Sequence, residues 1–267
     1  MRSQIHWRAP VAEFGGLSGI EVVDGGTRIL VVSDTGTLFE ADAFRRDGVL
    51  TDLRVSSRVP LRTTQGEIPA PFYENAEGLA IGTAPGFYVA YEAWARIWYY
   101  AAADQLPVWT HAWDRFWHQI GNEGFEALAV DASGALFAIS EHRRTPGSWF
   151  PVYRRDKEIW QEAFSIQPRD GFLPSGADFG PDGALYLLER RYRWYEGFST
   201  RIRRIHLGPD GVVSEDLLLD SPPGLLDNSE GISVWSDPGN VVHITLVSDD
   251  NFNPFQRTLV TEFILTD

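Results

Sequence analysis

Apolar and polar residues alternate along this chain in short runs, broken by turns rich in Gly, Asp and Pro. That rhythm predicts β-strands joined by tight turns. One phrase recurs five times. A small or acidic residue precedes Gly and an apolar run. After a turn comes a second apolar run, which ends in Ser-Asp, Ser-Glu or a lone Glu. The copies begin at Leu17-Ser18-Gly19, Asn75-Ala76-Glu77-Gly78, Asn122-Glu123-Gly124, Pro174-Ser175-Gly176 and Asn228-Ser229-Glu230-Gly231. The phrase glycines fall about 46 to 59 residues apart, a spacing of propeller blades.

Each phrase reads as a hairpin, and two further β runs follow each of the first four. The last copy is followed by only one, Arg257–Leu265, and Gln4–Val11 can supply the missing strand. The pattern therefore predicts an all-β fold, a β-propeller of five four-stranded blades over residues 1–267, with the N-terminal strand closing the last blade. Such closure removes both free sheet edges. A six-bladed ring with one degenerate blade, or an irregular sandwich, remains open at this stage.

Composition narrows the function. The 267 residues hold no apolar stretch long enough to span a bilayer. The formal charge of −14 repels phosphate backbones and argues against nucleic-acid binding. Without cysteine there is no disulfide and no thiol catalysis. The first residues carry no apolar signal core. The expectation is a chain that is cytoplasmic or lacks its export signal in this version.

In a blade, the start of the first strand and the end of the second lie on one face of the disc. The starts carry Glu77, Glu123 and Glu230, with Ser18 and Ser175 in the other two blades. The second-strand ends carry Asp34, Glu92, Glu141, Glu189 and Asp249. So many carboxylates round one opening would raise one another's pKa unless something positive compensates. One compensator is a hard divalent cation such as Ca²⁺, with Glu77, Glu230, Asp34, Glu189 and Asp249 as oxygen ligands. The other is basic side chains of the same rim. Glu123, Glu141 and His142 are the acid–base candidates, and Asn122, Arg143 and Arg190 would hold the substrate. The structural alternative is that a Glu before Gly accepts backbone N–H groups of the neighbouring blade. The six histidines show no zinc spacing. The aromatic cluster Trp94, Trp98, Tyr99, Tyr100, Trp109, Trp113, Phe116 and Trp117 reads as packing. His111–Gly121 and Arg190–Thr200 interrupt the repeat and read as walls or lids of the mouth.

At these phrases, from Phe14-Gly15-Gly16-Leu17-Ser18-Gly19 to Asn228-Ser229-Glu230-Gly231-Ile232, the chain resembles the phytase-like family described as having esterase-like activity. The resemblance implies a bacterial propeller, often exported to the periplasm or beyond, that hydrolyses esters or phosphoesters. The Arg-His-Gly-x-Arg-x-Pro signature of histidine phosphatases is absent, so phosphatase chemistry here would need a metal. The expectation is a monomeric, metal-assisted hydrolase of a small anionic or ester substrate. A lactonase-like hydrolase and a non-catalytic binding module are the alternatives.

Overall fold

The computed structural model describes residues 1–11, 13–71, 73–110, 120–121, 124–141 and 147–266. Five four-stranded antiparallel sheets form a closed ring, as the alternation predicts. Blade one is Leu17–Val23, Arg28–Ser33, Thr37–Arg46 and Val49–Pro60. Blade two is Ala76–Ala80, Phe87–Tyr91, Arg96–Tyr100 and Val108–Trp109. Blade three is Phe125–Val130, Leu136–Ser140, Phe150–Asp156 and Ile159–Ile166. Blade four is Leu173–Phe179, Leu185–Arg193, Gly197–Gly208 and Gly211–Asp220. Blade five is Asn228–Ser236, Val242–Asp249 and Leu259–Ile264, with Ser3–His6 outermost. The N-terminal strand pairs antiparallel with the last, Ile5 opposite Val260. Ring closure thus depends on the two chain ends meeting in one sheet. Apolar faces of neighbouring blades pack on each other, for example Phe137 of blade three against Phe179 of blade four with ring centroids 5.0 Å apart. In blade two, Phe87 stacks on Tyr100 and Trp98 meets Tyr91, so the described part of the aromatic cluster is packing.

Every inner strand carries a β-bulge at the same place. The ladder skips one residue: Ser18, Glu77, Glu126, Ser175 and Glu230. A bulge re-aims a side chain, here towards the axis. This corrects the alignment of blade three. The residue equivalent to Glu77 and Glu230 is Glu126, three positions after Glu123. The next position is glycine in four blades because inner strands approach closely. A Cβ at Gly19 would lie 2.7 Å from the Leu79 nitrogen, and one at Gly176 would lie 2.6 Å from the Glu230 carbonyl oxygen. Blade three has Ala127 there, and the residue it faces by the same ring relation is the small Ala177.

Three residues past the bulge, side chains staple the blades together. Glu21 accepts the N–H of Ile81 at 3.0 Å, Asp178 that of Val234 at 2.6 Å, and Ser233 that of Val22 at 3.0 Å. Blades two and three have Ala80 and Ala129 instead, which offer no acceptor. The blade-to-blade acceptor thus lies three residues beyond the bulge residue. Glu21 is pushed well above the usual carboxyl range by burial and by Asp178. Glu21→Gln keeps the acceptor without the charge and is expected to leave stability nearly unchanged. Glu21→Ala strands the Ile81 N–H and is expected to cost about 1–3 kcal/mol in guanidinium unfolding. Equal losses in the two variants would argue against the staple.

Candidate functional site

Four of the five bulge residues and the five second-strand ends meet round one cavity of about 360 Å³. Asp34, Glu77, Glu92, Glu126, Glu141, Glu230 and Asp249 line it, with Arg190, Ser18, Asn75 and Asn251. Among the described residues, seven carboxyl groups thus face a single guanidinium. Of the residues predicted from sequence, Asp34, Glu77, Glu141, Arg190, Glu230 and Asp249 converge here. Asn122, Glu123, His142 and Arg143 lie outside the described residues.

Glu189 is not at the mouth. Its carboxylate takes two hydrogen bonds from Arg203, at 2.6 and 2.9 Å, inside blade four. The reason is one step of register. Asp34, Glu92, Glu141 and Asp249 each follow the residue paired just before the bulge, and the equivalent position in blade four is Arg190. Neighbouring residues of a strand point to opposite faces, so Glu189 turns away as Arg190 turns in. The ring of second-strand ends is therefore four acids and one arginine.

Arg190 is the internal counter-ion. It pairs with Glu230, donates to Asn228 Oδ1 at 3.1 Å, and stands 3.7 Å from Glu126. Burial works against its charge, but Glu230, Glu126, Glu141 and Glu77 outweigh burial and raise its pKa further. Asn side chains hold two of the acids: Asn75 donates to Glu92 at 2.8 Å and Asn228 to Glu230 at 2.7 Å.

Arg190 alone does not balance seven carboxyls, and four of them shift. Asp34 is pushed up to about 7 by burial, then by Glu230, Asp250 and Glu74. Asp249 is pushed up to about 8 by burial and then by Glu230. Glu77 and Glu126 are raised well above the carboxyl range, burial first, with Glu230 adding at Glu77 and Glu77 adding at Glu126. Asp34 is also pressed against Gly16, where a Cβ would sit 2.1 Å from its Oδ1. Only glycine fits there, at φ +58°.

The donors fit a hard cation by chemistry: they are all oxygen, and the buried Asp34 Oδ1 has no hydrogen-bond partner. Among the described residues, no three acidic or imidazole groups already stand at metal-binding spacing. Binding an ion would require the carboxylates to draw inward.

Glu126 of this rim escapes the sequence reading as a site residue. Glu126 had a signal. In every blade the bulge residue lies about eight or nine positions before a turn glycine, namely Gly26, Gly86, Gly134, Gly183 and Gly239. Counting back from Gly134 finds Glu126 and not Glu123.

Fold and site together define a closed five-bladed β-propeller with a carboxylate-rich mouth bridged by arginine. Residues 12–252 match the phytase-like family, described as esterase-like activity of phytase, and the chain belongs to that family. No curated protein matches it by sequence. Among solved structures it is similar to a PQQ-bound aldose sugar dehydrogenase from Streptomyces coelicolor, at 13% identity and TM-score 0.51, covering 98% of each chain. It is also similar to a luciferin-regenerating enzyme, at 10% identity and TM-score 0.50, over 96% of this chain and 80% of that one. A putative gluconolactonase follows at 11% identity and TM-score 0.49, over 96% and 92%. At such identities the likeness is one of fold.

Proposed function

We propose that the chain is a hydrolase of a small-molecule ester or phosphoester, working at the mouth with a divalent cation such as Ca²⁺. The observation that carries this reading is the gathering of seven carboxyl groups and one guanidinium round a single polar cavity. Asp34, Glu77 and Asp249 would hold the ion, with Glu126 close by. When bound, it would polarise the scissile group and acidify a water. Glu141 would take the water's proton. Arg190 would meet an anionic oxygen of the substrate. Its contact with Glu126, 3.7 Å and not a hydrogen bond, is the side it can exchange.

The test is turnover of p-nitrophenyl phosphate, p-nitrophenyl acetate and simple lactones, with calcium and with EDTA. Activity is expected with calcium and not with EDTA. Glu77→Gln is expected to lower kcat about 100-fold or more. Glu123→Gln, at a position outside the described residues, checks the sequence-based base in the same assay. A second reading, a binding module without chemistry, draws support from the hydrogen bonds that already occupy Glu92, Glu230 and Asp249. Absence of turnover on all three substrate types, with calcium present, would favour it.

A further inference from the structure

A second concavity is larger than the mouth. It lies on the opposite face, where the first turns of blades two to five meet, and runs into the seam between blades three and four. Its volume is about 960 Å³, the size of a small-molecule site. Phe137 and Phe164 form the blade-three wall, and Phe179 and Leu207 the blade-four wall. Ala80 and Ala129, the two positions without an inter-blade acceptor, fall at the two junctions that flank blade three. At this end of the seam Phe137 and Phe179 meet across the two blades.

One cation stands on this apolar wall. Arg154 lines the groove with its guanidinium 5.8 Å from the Phe137 ring centroid. Its nearest carboxylate, Asp156, is 3.7 Å away, beyond hydrogen-bond distance, and is itself 57% exposed. The two acids of the lining are engaged elsewhere. Asp131 Oδ1 accepts Ser133 N and Ala135 N, each at 2.9 Å, within its own turn. Glu162 has interactions of its own within the protein. The groove therefore offers a cation next to aromatic surface.

We propose that this groove is a second ligand site, separate from the mouth, that takes an amphipathic monocarboxylate: an aryl or medium-chain alkyl body laid against the partly buried Phe164, Phe179 and Leu207, and a carboxylate on Arg154. Arginine is suited to that role because its planar edge meets a carboxylate with two N–H groups while its face lies on an aromatic ring. The inference does not depend on the hydrolase reading, since none of these residues lines the mouth.

Decanoate is the probe, and decyltrimethylammonium, of the same chain length and opposite charge, is the control. Isothermal titration and thermal melting are run on the full chain. Decanoate is expected to bind and raise the melting temperature, and the cationic amphiphile is not. Arg154→Ala is expected to weaken decanoate binding about tenfold, and Arg154→Lys to retain part of it. Ala163→Trp keeps the charge but fills the groove, and is expected to abolish binding. Melting of each variant without ligand verifies that it folds. No binding by the wild type, equal binding of both amphiphiles, or undiminished binding in Arg154→Ala and Ala163→Trp would each overturn the proposal.

Discussion

Arg190→Met is expected to destabilise the ring by about 3–5 kcal/mol at neutral pH, the cost of leaving a buried charge without its partner. Among the described residues Arg190 is the one cation lining the mouth, and Glu126 and Glu230, which it pairs with, are both buried. Methionine keeps the volume and removes the charge. Guanidinium unfolding at neutral pH measures the loss. Two further results are expected from the same cause. Part of the loss returns on acidification, because the stranded carboxylates take up protons. Adding Glu230→Gln to the variant also recovers part of it, because one of those charges is gone. A loss below about 1 kcal/mol, the scale of an exposed ion pair, would mean that Arg190 does not hold the mouth together.

The second large effect is on pH. Asp34 and Asp249 have folded values of about 7 and about 8, against an unfolded value of about 3.9. Between these limits the folded chain keeps protons that the unfolded chain has released. Their contribution is therefore fully present below about pH 4 and is lost as pH rises through 7 to 8. One unit of difference corresponds to about 1.4 kcal/mol, so two such groups amount to several kcal/mol. Without divalent cations, the melting temperature is expected to fall between about pH 5 and about pH 8.5. Millimolar calcium should oppose that fall, since an ion binds the deprotonated carboxylates and stabilises the fold by mass action, about 2.7 kcal/mol at a hundred times its Kd. The gain from calcium should be larger at the alkaline end, and binding should release protons. A melting temperature that rises across this range would sink the account of the mouth's charge. A fall that calcium does not alter would leave the charge account standing and remove the metal.

The comparison of sequence with structure turns on single residues of register. Asp34, Glu77, Glu230 and Asp249 were readable as members of one rim because the Gly phrase and the Ser-Asp ending fix their place in a hairpin. Glu189 was misplaced among them, because the second strand of blade four runs on to Arg193 and its ending is not marked by the acid. One residue of misalignment exchanges a rim carboxylate for a rim arginine. Glu126 was missed for a related reason. Asn122-Glu123-Gly124 imitates the phrase three residues early, while the true bulge is followed by Ala127 rather than Gly.

What can be read along the chain is whatever local geometry demands of each repeat: alternation for strands, glycine for close approach, turn residues for hairpins. These suffice for five blades, for their closure by the N-terminal strand, and for an acidic rim. Which carboxylates share a cavity, and that one arginine stands among them, depends on bulges and on contacts between blades some fifty residues apart. The burial that lifts Asp34 and Asp249 towards neutrality likewise exists only once the ring has closed, because it is desolvation by blades that are distant in sequence.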